Sequence, residues 1–156
     1  RFAQIDLKEF GPIEGITDKE YYDNSFHVSS KIKINPFEKL RLEAPGHTLA
    51  AGGHISYIET DSLKKNLEAV YQVLRYAQSI GIHYMGINQP VDKCHICNFN
   101  GEFLATERGF ECPQCGNHDS TKMNVIRRVC GYLAQPDSRP FNKGKQKEVI
   151  NRVKHM

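Results

Sequence analysis

The sequence predicts an α/β fold carrying a small metal-stapled module, and three stretches of the chain predict it. Residues 53–88 read as strand, helix, strand; residues 90–122 are rich in Cys, Gly, Asn and Asp and poor in apolar side chains; the final residues return to helical spacing. A crossover as long as that between the two strands favours parallel pairing, and parallel pairing means α/β architecture.

The 156 residues suffice for one core of ordinary size, and 39% hydrophobic with 25% charged residues is the composition of globular proteins that fold. A net charge of +3 is too small to argue for nucleic acid without clustering. The nearest cluster is the tail from Lys143 to Lys154, where a solvated helix face explains the charges as well as phosphate contacts do. No apolar run approaches membrane-span length and the amino terminus has no signal-peptide pattern, so a cytosolic protein is expected. The chain opens on Arg1 rather than methionine, which points to a fragment or a processed product.

Taken in order, residues 17–35 mix Tyr21, Tyr22, Phe26, Val28, Ile32 and Ile34 with Asp23, Asn24 and Ser25, a pattern for short extended pieces around a turn. Asn35-Pro36 reads as a helix cap followed by proline at the first helical position, with Phe37, Leu40 and Ala44 facing inward and the helix ending at Pro45-Gly46. Gly52-Gly53 breaks the chain, and His54 to Glu59 alternates as a strand does. Asp61 is placed to cap a long helix in which Leu63, Leu67, Val70, Tyr71, Leu74, Ala77 and Ile80 form one apolar stripe, and Gly81 stops it. His83 to Ile87 is the second strand. Val125 to Leu133 is an apolar run interrupted by Arg127 and Arg128, and Asn142 caps a last amphipathic helix.

Four of the five cysteines fall in two Cys-x-x-Cys pairs, Cys94/Cys97 and Cys112/Cys115, separated by a loop of fourteen residues. Two intervening residues let both sulfurs of a pair face one point, and two such knuckles make a tetrahedral thiolate cage of the kind structural zinc prefers, with Zn–S bonds of ~2.3 Å. In a cytosolic setting this points to metal before disulfides. Iron with the same four thiolates and a dithiol–disulfide role stay open alternatives. His95 and His118 lie nearby in sequence and read as ordinary surface histidines. Such a module binds nucleic acid, binds proteins or braces an enzyme, so it does not decide function.

The segment Arg128-Val129-Cys130-Gly131-Tyr132-Leu133 resembles the radical loop of glycyl radical enzymes, with its Arg-Val-x-Gly-Tyr core near the carboxy terminus. A Cα radical is stabilised by delocalisation into both flanking peptides, which needs a planar centre that a side chain would crowd. Glycine also has a second Cα hydrogen to give up and reaches backbone conformations closed to other residues. A turn glycine between strands is the plain alternative. The four-cysteine module immediately upstream, and the position within about thirty residues of the chain end, resemble the large catalytic subunit of anaerobic, class III, ribonucleoside-triphosphate reductases of the phage-like type. Tyr21 to Ser25, Gly52 to Ile55, Tyr84 to Pro90 and the tail from Asn142 to Arg152 are similar to the same family.

That resemblance implies the carboxy-terminal part of a ten-stranded α/β barrel, divided as barrel segment 1–90, inserted zinc ribbon 91–122, and radical loop with terminal helix 123–156. It implies an oxygen-sensitive enzyme reducing ribonucleoside triphosphates to deoxyribonucleoside triphosphates. Gly131 would store a radical generated by an activase that uses an iron–sulfur cluster and S-adenosylmethionine, and would pass it to an active-site cysteine outside this chain. Cys130 is then a small buried spacer, Zn2+ on Cys94, Cys97, Cys112 and Cys115 is structural, and the subunit is a homodimer with nucleotide effectors bound mostly upstream. Formate is the implied reductant, with no membrane and no nucleic acid among the partners, in the cytoplasm, that of the host if the protein is phage-encoded. Asn24 and Ser25 would suit a phosphate at a helix start, though a plain turn serves them equally. The alternative reading is a non-catalytic zinc-ribbon binding module.

Overall fold

The computed structural model describes residues 2–23, 27–61, 63, 66–128, 133–134 and 141–156. Helix α1 spans Phe2–Phe10, where no element was expected. Between Gly11 and Asn35 the described residues form turns and bends instead of extended pieces. Side chains there take the backbone groups that a strand ladder would need: Thr17 Oγ1 accepts from Ile13 N and donates to Gly11 O, while Asp23 accepts from the Ser30 amide and hydroxyl. Such local bonds compete with sheet pairing.

Helix α2 (Pro36–Leu49) begins as expected, with Asn35 Oδ1 accepting from Glu38 N at 2.9 Å. It does not stop at Pro45-Gly46 but runs one turn further. The ladder resumes past the proline with Ala50 N donating to Gly46 O, and His47 anchors that last turn by its contact with Ser56. Leu40 and Ala44 face the core, whereas Phe37 lies at its margin and meets Tyr76 edge to face.

Strand β1 (Ser56–Glu59) leads through α3 (Leu67–Ser79) to β2 (Met85–Asn88), and the two strands pair in parallel with Ser56 opposite Met85 and Glu59 opposite Asn88. The strand–helix–strand unit is therefore present, but α3 starts later than expected. Asn66, not Asp61, supplies the cap by accepting from Ala69 N, and Asp61 instead pairs with Lys154. The helix also buries a different edge: Val73 and Ala77 pack with Tyr76 and Ile80 against Leu40 and Ile58, while Leu67, Tyr71 and Leu74 are 72%, 56% and 44% exposed. A sheet of two strands covers only a narrow sector of a helix, so a broad apolar stripe is half used. Gly81, at φ +79°, ends the helix in the left-handed conformation that glycine allows.

A second core belongs to the cysteine-rich part. Strands β3 (Asp92–Cys94), β4 (Asn100–Gly101) and, further on, β7 (Met123–Asn124) form a three-stranded antiparallel sheet, and β5 (Leu104–Thr106) pairs with β6 (Gly109–Glu111) as a hairpin. Phe103, Met123 and Val125 pack with Cys94 and Cys112, flanked by Phe99 and Phe110. Strands β8 (Arg127–Arg128) and β9 (Leu133–Ala134) pair antiparallel, and α4 (Lys143–Asn151) begins at Asn142 as expected, its side chain accepting from Lys145 N at 3.0 Å. The tail after α4 returns to β1: His155 N donates to Glu59 O at 2.8 Å and Glu59 N donates back to His155 Nδ1 at 2.9 Å.

Candidate functional site

Each cysteine pair is shaped by the same local device. Cys94 ends β3 and its amide donates to Phe99 O; Cys112 follows β6 and its amide donates to Asn117 O, the same reach of five residues in both knuckles. The residue after the second cysteine is left-handed each time, Asn98 at φ 58° and Gly116 at φ 69°. Glycine takes this conformation freely, and asparagine is among the few side chains that tolerate it. The chain thus doubles back so that both sulfurs of a knuckle face the same point.

The four sulfurs converge, with every pair within 4.8 Å. Cys94 Sγ lies 3.7 Å from Cys115 Sγ and Cys97 Sγ lies 3.6 Å from Cys112 Sγ. Tetrahedral coordination with ~2.3 Å bonds puts sulfurs ~3.8 Å apart, so the spacing fits a four-thiolate metal ion and is far too long for disulfides. The thiols do not ionise alike without such an ion. The Cys97 backbone amide, with that of Ile96, draws Cys94 down to about 6 against burial. At Cys115 the Asn117 amide likewise draws the thiol down, but burial and the neighbouring thiols overcome it and push it up to about 12. A cage of four thiolates thus needs a cation at its centre. His95 and His118 are exposed and outside this cluster, as expected; His118 sits 3.7 Å from Glu111 instead.

One residue at this site carried no signal in the sequence. Asp92, buried at the start of β3, accepts from Phe103 N at 2.8 Å through one carboxylate oxygen and from Ile126 N at 3.1 Å through the other. It ties the cysteine module to the strand that enters the glycine segment. Paired β8 and β9 flank residues 129–132; Gly131 and Cys130 themselves lie outside the described residues, as do Asn24 and Ser25.

A cleft opens outside the carboxyl ends of β1 and β2, where α/β sheets bind their ligands. Glu59, Asn88, Gln89, Glu102, Ile126 and Arg152 line it. Arg152 bonds Glu59 at 2.9 Å and Glu148 at 2.8 Å, and Lys154 pairs with both Asp61 and Glu102, so the tail joins the parallel pair to the cysteine module. No helix among the described residues is long and apolar enough to cross a membrane.

The family model for anaerobic ribonucleoside-triphosphate reductase matches residues 1–155. Proteins of that name from Haemophilus influenzae and Escherichia coli are 53% and 51% identical over all of this chain, and one from Enterobacteria phage T4 is 50% identical over 99% of it. The chain spans only 22% of the two bacterial proteins and 26% of the phage protein. A solved structure titled anaerobic ribonucleotide reductase superposes on 97% of the chain with a TM-score of 0.66 at 22% identity, which establishes a shared α/β fold for this portion.

Proposed function

Because the chain belongs to the anaerobic ribonucleoside-triphosphate reductase family, we propose that it is the carboxy-terminal portion of the catalytic subunit and carries the radical-storing glycine, Gly131. The full subunit reduces ribonucleoside triphosphates to deoxyribonucleoside triphosphates in the cytoplasm. A radical held at Gly131 passes to a thiol upstream of this chain, which abstracts hydrogen from the ribose. An activase with an iron–sulfur cluster and S-adenosylmethionine installs the radical. The subunit acts as a homodimer under nucleotide effectors, with formate as reductant. The barrel completed by the upstream chain has ten strands, of which β1 and β2 are part.

The observation that carries this reading is the order of parts along the chain: four converging thiols, the Asp92 tie to Ile126, then paired strands flanking residues 129–132. Zinc bound by Cys94, Cys97, Cys112 and Cys115 would be closed to water and structural. The residues around it hold the entry to the glycine segment in place: Asp92 fixes Ile126, and Lys154 fixes the module to β1's exit. Cys130 is a spacer, so Cys130→Ser in the complete enzyme keeps substantial reductase activity. An exposed aromatic stacking face would favour the binding-module reading, whereas Phe99, Phe103 and Phe110 pack into the module's own core.

Anaerobic treatment with the activase and S-adenosylmethionine, followed by brief exposure to air, tests the reading by mass spectrometry on the complete subunit and on this chain. Backbone cleavage at Gly131 is expected in the complete subunit, since oxygen cuts the chain at a glycyl radical. An intact backbone with metal still bound would transfer the reading to a binding module.

A further inference from the structure

Away from the cysteines, three side chains from three separate segments meet in the interior: His27 from the turns before α2, Glu43 on α2, and His54 ahead of β1. One nitrogen of each histidine and one oxygen of Glu43 all lie within 4.8 Å of one another. From this we propose a second metal site in which His27, Glu43 and His54 take a divalent first-row transition ion through two imidazoles and one carboxylate.

The carboxylate is arranged as a metal-bound carboxylate is. Its Oε1 accepts from Val28 N at 2.8 Å and pairs with Lys39, whose side chain is itself buried. Its Oε2 is buried and has no hydrogen-bond partner among the described residues. A ligating carboxylate usually gives one oxygen to the ion and the other to an outer hydrogen-bond partner, and Lys39 with Val28 N supplies that outer shell. A buried carboxylate oxygen left without a donor is costly, so an ion at Oε2 resolves what the protein groups leave open.

The surrounding imidazoles define the ion's chemistry. The His27 and His54 ring centroids are 5.1 Å apart, and His47, one turn beyond Glu43, stands edge-on to His54 at 4.7 Å with its Nε2 3.0 Å from Ser56 Oγ. Two nitrogens and one oxygen suit Zn2+, Fe2+ or Co2+ and do not suit Ca2+ or Mg2+, which prefer oxygen throughout. Bonds of ~2.1 Å in a tetrahedron require ligand atoms ~3.4 Å apart, so small rotations of side chains already within reach close the site. Three protein ligands leave a fourth position open to water or a substrate oxygen. None of the three is shared with the cysteine cage.

Anaerobic titration of the metal-free complete subunit with Co2+ tests the proposal, because the two donor sets differ in colour. The cysteine cage gives thiolate-to-metal charge-transfer bands; a second equivalent giving only weak d–d bands is expected from the His–Glu site. Glu43→Gln and, independently, His27→Ala should remove the second phase and leave the first unchanged. His27 lies outside any helix or strand, so its variant keeps the test valid if the buried Glu43 variant fails to fold. Saturation after the charge-transfer phase alone, or a second phase undiminished in a folded variant, overturns the proposal.

Discussion

Asn98 and Gly116 occupy equivalent left-handed positions, yet only one of them is glycine. The asparagine therefore carries a modest conformational cost that a β-branched residue would enlarge: Asn98→Val should lose about 1–2 kcal/mol of stability, whereas Asn98→Gly should be near neutral. Denaturant unfolding of the metal-loaded protein reads both. His155 makes a sharper claim. Burial, helped by the charges of Lys39 and Arg152, pushes its imidazole down to about 4, and its Nδ1 accepts from the Glu59 amide, a bond that only the neutral ring can make. The unfolded chain, with a histidine near the ordinary 6.5, binds the proton first, so stability is full above pH 6.5 and is lost as pH falls towards 4. The loss should be about 2 kcal/mol after allowing for solvent screening. Burial lowers His47 and His54 in the same direction, so His155→Gln should flatten this pH dependence only in part.

At the level of elements, Asp92 joins three pieces of chain with one carboxylate, since it sits on β3 and accepts from the amides of both Phe103 and Ile126. Asp92→Ala removes this acceptor from the buried Phe103 amide and the half-buried Ile126 amide, at about 1–3 kcal/mol each, while Asp92→Asn keeps one acceptor and should fall between alanine and the native residue. The loosened strand should also lower the yield of glycyl radical, measured by electron paramagnetic resonance after activation of the complete subunit. Such a residue is invisible in the sequence because its two partners lie 11 and 34 positions away. What the sequence announced was local: the caps Asn35 and Asn142, the stop at Gly81 and the paired Cys-x-x-Cys spacing each depend on neighbours within a turn. The parallel strands were legible too, from the length of their crossover. The start of α3 and its buried edge were not, because a stripe containing Leu67, Tyr71 and Leu74 does not reveal which part of itself finds a partner. The meeting of His27, Glu43 and His54 was equally hidden, being set by how the turns before α2 fold back upon it.

On the scale of the whole molecule, the unused part of that stripe becomes an argument about what this chain needs. Leu67, Tyr71 and Leu74 on α3 are exposed together with Phe2 and Phe10 on α1 and Leu49 at the end of α2. Leu67, Tyr71 and Leu74 share one face of α3, and an exposed apolar face of this kind marks a surface normally covered. The chain spans 22% of its bacterial relatives, and on the proposed barrel reading the upstream chain covers α3 on its other side. Expressed by itself, the chain should therefore bind a hydrophobic dye and self-associate in sedimentation at micromolar concentration, although its cysteine module remains folded while metal is bound. Removing the metal with a chelator should unfold the module, whose core is built around Cys94 and Cys112. Anaerobic activation of this chain with nucleotide and formate supplied should give no deoxynucleotide if, as proposed, the thiol that attacks the ribose lies upstream. Product formation by the chain alone would move that thiol onto the cysteines it contains, and Cys130 would be the first to replace.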